Sequence, residues 1–209
     1  MTTLLVETKI SYDRSHPNAR DVNAMAGLTR TFIHRHTLAW GTDGVRALPV
    51  VMWDFFDKEV QSFKRDIHAK GGDLQVYYIP YPHIEENYNQ KLFNAQSLEL
   101  KRRCDLMESD LLTRVGVMLS DLRDRVKPDF TDGAAKLRRF HKETISGLGY
   151  EVELYSQLNN MLKNNVLKNI LADAAKLAKY DVKAIRKWAT IRQEVYQKTV
   201  ELVNLLSNA

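Results

Sequence analysis

The sequence predicts a mainly α-helical fold, a helical bundle with long amphipathic helices and a small two-stranded β appendage. Two observations indicate this class. Apolar residues recur every three or four positions through most of residues 97–207, as in helices that bury one side. Apolar and polar residues alternate in two short segments nearer the N-terminus, as in half-buried strands.

The two strands are predicted at Thr3–Tyr12 and Asp73–Ile79, and we expect them to pair. Pro80 and Pro82 limit the second strand to a sheet edge or end it, because proline cannot donate a ladder hydrogen bond. The segment between the strands is predicted to hold helices at Ala19–Ala39 and Pro49–Ala69, with a glycine-containing turn at Gly41–Gly44.

The longest helix is predicted from Ser97 to Lys127, after a helical lead-in at His83–Asn94, and Pro128 ends it. Its apolar stripe consists of Leu100, Cys104, Met107, Leu111, Val115, Met118, Leu122 and Val126. Four more apolar residues widen this surface: Leu106, Leu112, Val117 and Leu119. We therefore expect the helix to pack on two sides and Cys104, the single cysteine, to be a buried structural thiol.

Four helices are predicted after Pro128, at Ala134–Ser146, Tyr150–Asn164, Val166–Lys179 and Val182–Leu206. Gly147 and Gly149 predict a break between the first two, and Asn164 with Asn165 predicts another. The last helix begins after Asp181, a good N-cap, and contains neither glycine nor proline, so we expect it to be unbroken. The chain then divides into residues 1–128 and a basic region, residues 129–209, or forms one domain.

Composition favours a soluble globular protein, since 44% of the 209 residues are hydrophobic and 27% are charged. The apolar runs are far shorter than the roughly 20 residues that span a bilayer. Residues 1–12 lack the basic flank and apolar stretch of a signal peptide. We expect a cytoplasmic protein without stable membrane insertion.

The positive charge is concentrated toward the C-terminus. Residues 133–209 hold 13 Lys and Arg against 7 Asp and Glu, whereas residues 1–132 hold 18 against 19. A nucleic-acid-binding face could be formed by Lys136, Arg138, Arg139, Lys142, Lys176, Lys179, Lys183, Arg186 and Lys187. Phe140, Tyr180 and Trp188 could stack on bases, although Phe140 and Trp188 fall at core-like spacing. The alternative is a solvated helix surface.

Aromatic residues are frequent in the first half of the chain. A protein interface is a candidate role for Tyr77, Tyr78, Tyr81 and Tyr88, because tyrosine combines a large apolar ring with a polar tip. The alternative is a packed crossing between helices with the hydroxyls at the surface. A core position is expected for Trp40, Trp53, Phe55 and Phe56.

No pattern in the sequence indicates catalysis, a cofactor or a metal ion. His34 and His36 are two residues apart, which on a helix separates them by about 200°, so they are expected at the surface or at a helix end. His83, Glu85 and Glu86 suit a first helical turn, and a metal site there would need further ligands. Phosphate-binding glycine loops, zinc-protease motifs and nucleophile elbows are not found. The prediction is a non-enzymatic protein.

The leucine-rich helices, the tyrosine- and proline-containing central segment and the stretch Leu177–Lys187 resemble a family of uncharacterised helical proteins encoded by bacteriophages and plasmids. This resemblance implies a phage or mobile-element setting in a bacterial host and a non-catalytic helical role, and it supplies no site residues. We therefore expect an interaction or assembly protein, acting as a homo-oligomer or in a larger protein assembly. Binding to DNA or RNA through the basic helices is the alternative.

Overall fold

A computed structural model describes residues 3–41, 44–80, 90–127 and 142–208. In these ranges the strands are β1 (Thr3–Tyr12), β2 (Leu38–Ala39), β3 (Arg46–Pro49) and β4 (Gly72–Pro80). The helices are α1 (Ala19–His36), α2 (Trp53–Ala69), α3 (Gln90–Val126), α4 (Lys142–Leu162), α5 (Asn165–Leu177), α6 (Val182–Lys187) and α7 (Ala189–Ser207). The mainly α-helical class is confirmed, but the sheet has four strands rather than two.

The chain forms two compact units, residues 1–110 and 111–209, so the division falls within α3. The boundary predicted between residues 128 and 129 falls within residues 128–141, which the structure does not describe, so it stays a prediction. The predicted helix Ala134–Ser146 and the lead-in His83–Asn94 lie largely outside the described residues as well.

The first unit contains an antiparallel sheet with the strand order β2-β3-β1-β4. The predicted pairing of the two longer strands is confirmed, with a register that runs from Leu4 opposite Pro80 to Tyr12 opposite Gly72. The other side of β1 pairs with β3, which in turn pairs with β2. These two strands have four and two residues, too short to produce a recognisable alternation, which is why the sequence did not predict them.

Helices α1 and α2 pack with this sheet around a core that includes Val6, Phe56 and Leu74, all nearly inaccessible to solvent. At Gly72 the helices approach β4 closely, since a Cβ atom there would lie 2.7 Å from Val22 Cγ1 and 2.8 Å from Ile67 Cγ2. Glycine is therefore required by space at this position.

A buried polar network ends α1 at His36, three residues earlier than predicted. The side chain of Arg46 donates to Thr37 Oγ1 (2.7 Å), to the Thr37 carbonyl (3.2 Å) and to Asp110 Oδ2 (3.3 Å). The same Asp110 oxygen accepts the backbone N–H of Ala39 at 2.9 Å. Extended backbone at residues 37–39 provides these partners, and a helix continued to Ala39 would not.

The stripe of α3 is buried from Met107 onward, at Met107, Leu111, Val115, Met118, Leu122 and Val126. Leu119 is also fully buried, but it lies on the same face as Val115 and Leu122. Leu106 and Val117 are exposed, so these two residues do not form the second packed side that the sequence predicted. Cys104 is exposed, so the prediction of a buried thiol is wrong. Its pKa is nevertheless raised by partial burial and by Asp105 and Glu108, which disfavours a reactive thiolate.

The predicted break at Gly147 and Gly149 is wrong, because both lie inside α4. The helix is stabilised by buried apolar residues that flank them, including Ile145, Leu148 and Val152, and such packing outweighs a glycine cost of about 1 kcal/mol each. The next predicted break is confirmed. Asn164 caps α5 by accepting the Leu167 N–H at 2.8 Å.

Candidate functional site

The last helix, predicted to be unbroken, is interrupted at Trp188, which separates α6 from α7. Trp188 has extended backbone angles, φ −113° and ψ 110°. Its N–H still donates to the Ala184 carbonyl at 2.9 Å, and its carbonyl accepts the Arg192 N–H at 3.1 Å. The backbone groups on both sides of the break are thus satisfied without glycine or proline, which removes the signals that a sequence normally provides.

Arg192, just after the break, is fully buried. Its Nε donates to the Val126 carbonyl at 3.0 Å, and a terminal guanidinium nitrogen donates to the Arg125 carbonyl at 3.0 Å. These carbonyls end α3, where a positive charge complements the helix dipole. Nothing in the sequence predicted this buried arginine, although it occupies a stripe position, four residues after Trp188 and three before Val195.

The break also takes Trp188 off the buried stripe. In an unbroken helix it would follow Ile185 by three residues and precede Arg192 by four, and both of these are buried. Instead 53% of the Trp188 side chain is exposed. The core-like spacing read from the sequence was therefore misleading, because it assumed helical backbone at this residue.

Several exposed basic residues precede this tryptophan in the chain. Lys183, Arg186 and Lys187 are exposed and follow the three- and four-residue spacing of one face of α6, while Ile185 is buried. Lys187 Nζ lies 5.0 Å from the centre of the Trp188 ring. Lys179, exposed just before α6, adds another charge. We call Lys179, Lys183, Arg186, Lys187 and Trp188 the basic tip.

The remaining basic residues predicted for this face are not part of the basic tip. Lys176 is exposed and forms an ion pair with Asp173, with 2.6 Å between Nζ and Oδ1. The other four are Lys136, Arg138 and Arg139, which lie outside the described residues together with Phe140, and Lys142, which begins α4 but whose side chain is not described. Four of the nine predicted basic residues, Lys179, Lys183, Arg186 and Lys187, therefore belong to the basic tip.

One acidic residue, Asp181, occurs within residues 179–188. Its Oδ1 accepts the Lys183 N–H at 3.0 Å and caps α6, as the sequence predicted. This carboxylate is engaged by the backbone of the helix that carries the cations. The basic tip consequently has an excess of positive charge on a short segment.

A cleft of about 310 Å³ lies between α5 and α7. Its lining combines Leu177, Leu202 and Leu205 with charged side chains of both signs. Mixed charge distinguishes this cleft from the basic tip. Its walls come from separate helices, so no local pattern in the sequence predicts it.

Tyr180, Glu194 and Lys198 form a polar cluster beside this cleft. The Tyr180 hydroxyl donates to Glu194 Oε1 at 2.6 Å, and Lys198 Nζ donates to Glu194 Oε1 at 2.7 Å and to the Tyr180 oxygen at 2.8 Å. The hydrogen bond from Lys198 lowers the pKa of Glu194, and the hydrogen bond to Glu194 raises the pKa of Lys198. Both stay charged at neutral pH, so the cluster is unsuited to proton transfer there.

In the first unit, Tyr77 and Tyr78 lie on opposite faces of β4. Tyr77 is 51% exposed and donates its hydroxyl hydrogen to Gln75 Oε1 at 3.0 Å. Tyr78 is half-buried and donates to Asp57 Oδ1 at 2.9 Å, and burial raises its pKa. Tyr81 and Tyr88 lie outside the described residues, so Tyr77 and Tyr78 are the two of the four predicted tyrosines that the structure describes.

The β4 strand is at the end of the sheet and pairs with β1 on one side. Among the described residues no strand pairs with its other side. Ile79, two residues after Tyr77, is exposed on the same face of β4 as Tyr77. This edge, with its exposed Tyr77 and Ile79, is called the β4 edge below.

The core positions predicted for four aromatic residues are correct for Trp40 and Phe56, which are buried. They are wrong for Trp53 and Phe55, which are exposed at the start of α2. The Trp53 ring is 6.3 Å from that of Tyr78 in an edge-on arrangement. Sequence reasoning missed this exposure because the hydrophobicity of a helix start does not reveal which side is covered.

The two histidines near the end of α1 differ. His34 is exposed, whereas His36 is only 3% exposed, and its ring is 4.3 Å from that of Phe32 between centroids. Its Nδ1 is 2.8 Å from the Phe32 carbonyl oxygen, within the last turn of α1. Burial lowers its pKa, which keeps the ring neutral near pH 7.

In the described ranges there is no cluster of three or more His, Cys, Asp or Glu side chains arranged to hold a metal ion. No described helix is sufficiently long and apolar to traverse a bilayer. Comparison with protein-family models, with curated proteins and with solved structures gave no match to this chain.

Proposed function

We propose that this chain is a non-enzymatic helical assembly protein that acts through protein–protein contacts, as a homo-oligomer or within a larger assembly. The β4 edge is the observation that carries this proposal. The resemblance of its helices to phage- and plasmid-encoded proteins supports a mobile-element setting, in the cytoplasm of a bacterial host.

An edge strand presents backbone N–H and C=O groups that can pair with another strand. Natural proteins block such edges with charged residues, prolines or bulges. Over the nine residues of β4 the only charged side chain is Asp73 and the only proline is Pro80, both near the ends. Between them, the exposed Tyr77 and Ile79 offer apolar contacts to an added strand.

The experiment is size-exclusion chromatography with light scattering over a range of protein concentrations. We expect the unsubstituted chain to self-associate, and Tyr77→Lys and Ile79→Lys to raise the dissociation constant about tenfold or more, because the new charges would face each other across the interface. Val117→Lys replaces an apolar residue elsewhere that is at least as exposed, and it should leave the mass unchanged. A monomer at all concentrations, together with no effect of the β4 substitutions on any captured partner, refutes the proposal.

Nucleic-acid binding is the second candidate function, favoured by one observation, the presence of four exposed cations in the ten residues that end at the exposed Trp188. Phosphate contacts release counterions, so affinity would fall steeply with salt. An apolar protein interface would be much less sensitive to salt. Titration of labelled DNA and RNA at low and high salt therefore separates the two candidates.

A further inference from the structure

We infer that the basic tip binds single-stranded nucleic acid, with a base stacked on Trp188 and phosphates held by Lys183, Arg186 and Lys187. This inference rests on the second candidate function and specifies its ligand. Four steps support it.

The first step is the conformation of Trp188. Tryptophan is largely buried in most proteins, and the spacing of its neighbours would bury this one in an unbroken helix. The extended backbone at Trp188 presents the indole to solvent instead. An exposed indole offers a flat apolar surface on which any base can stack.

The second step is the charge around the indole. Lys187 Nζ is 5.0 Å from the ring centre, and Lys183 and Arg186 share its side of α6 by helical spacing. A stacking residue flanked by cations is the combination that single-strand-binding surfaces use, since the cations attract the backbone while the ring takes the base.

The third step concerns the neighbouring acids. Asp181 is engaged in capping α6, and Glu194 is paired with Lys198. Both carboxylates thus have cationic or N–H partners of their own, which reduces their repulsion of a bound phosphate.

The fourth step distinguishes the possible polyanions. In a duplex the base faces are already stacked, so Trp188 would gain no partner there except at an end. An anionic membrane would require a broader exposed apolar face, and within residues 179–188 Trp188 is the only exposed apolar residue of large size. An acidic protein would use the cations but would not require an indole.

The test measures fluorescence anisotropy of a labelled 20-nucleotide thymidine strand and of a 20-base-pair duplex, with the full chain, from 50 to 300 mM salt. Trp188→Ala should weaken single-strand binding about tenfold and change the salt dependence little. Trp188→Phe should restore most of the affinity. Lys183→Gln, Arg186→Gln and Lys187→Gln should each reduce the salt slope by about 0.7. Lys9→Gln, an exposed cation of the first unit, is the matched control and should bind like the unsubstituted chain.

The outcomes are distinct. Equal binding of both nucleic acids, or an unchanged affinity of Trp188→Ala, overturns the single-strand inference while nucleic-acid binding itself stands. Binding to neither nucleic acid at 50 mM salt overturns both. Equal affinity for polyglutamate or for anionic phosphatidylserine vesicles also overturns the inference, since it would show attraction to any polyanion. Circular dichroism of each variant confirms that it is folded, and Trp188→Phe provides the comparison should Trp188→Ala unfold.

Discussion

Replacing the buried Arg192 with methionine should destabilise the second unit. The side chain donates two hydrogen bonds, each 3.0 Å long, to the Val126 and Arg125 carbonyls. A hydrogen bond from a charged donor contributes about 1.5–3 kcal/mol, so two contribute about 3–6 kcal/mol. Methionine fills much of the space and avoids burying a charge, which offsets part of this loss. We expect a net loss of about 2–4 kcal/mol in the free energy of unfolding.

The assay is urea unfolding followed by circular dichroism, with a separate transition allowed for each unit. Arg192→Lys keeps a charged donor that can still bond to a carbonyl, so its loss of stability should be smaller than that of Arg192→Met. The loss should not vanish, because lysine lacks the planar fork that reaches both carbonyls. Lys183→Met removes an exposed cation of the neighbouring helix α6 and should shift stability by no more than about 0.5 kcal/mol. If Arg192→Met proves as stable as the unsubstituted chain, the guanidinium does not hold the end of α3 as we have reasoned.

Three further predictions concern the first unit. In thermal melts, Gly72→Ala should destabilise the first unit by about 1–3 kcal/mol through overpacking. Gly27→Ala, where a Cβ would meet nothing within 4 Å, should stabilise it by about 0.5–1 kcal/mol in the same measurement. Asp110→Ala should cost about 2–4 kcal/mol and speed hydrogen exchange of the Ala39 amide, and unchanged exchange would contradict this. Because burial lowers the pKa of His36 in the folded state, the unfolded state binds its proton first. The contribution of neutral His36 to the free energy of unfolding should be fully present above about pH 6.5 and decrease as the pH falls from there toward the pKa of the folded state. His36→Gln should flatten this dependence in urea midpoints measured between pH 5 and 7.5, and an equally steep dependence would assign it elsewhere.

The sequence predicted the elements whose signals are local and periodic. Strand β1, its pairing with β4, the stripe of α3 from Met107 and the Asn164 and Asp181 caps all follow from spacing or from one capping residue. The short strands could not be predicted, because they depend on a buried arginine that links Thr37 to Asp110. Such partners are far apart along the chain and leave no periodic pattern.

The candidate site was predicted in composition but not in geometry. The basic residues of α6 were identified by charge, and Trp188 was named as a residue that could stack on bases. Its spacing nevertheless suggested a core position, because the backbone was assumed to be helical there. The α5–α7 cleft and the Tyr180 cluster were missed, since both require helices that only the tertiary fold brings together. Exposure of Trp53 and Phe55 was missed for a related reason, because hydrophobic spacing does not tell which side of a helix is covered.

The break at Trp188 separates two roles that an unbroken helix would have placed on one stripe. Arg192 is turned inward, where it binds the end of α3, and Trp188 is turned outward among the cations of α6. The two residues should therefore respond independently to substitution. Arg192→Met should lower stability while leaving single-strand affinity unchanged at temperatures where the chain is folded, and Trp188→Ala should lower affinity far more than stability, because half of its ring is already in water. A parallel loss of affinity and stability in both variants would mean that the basic tip depends on the packing of α7, and that Trp188 is exposed for a structural reason.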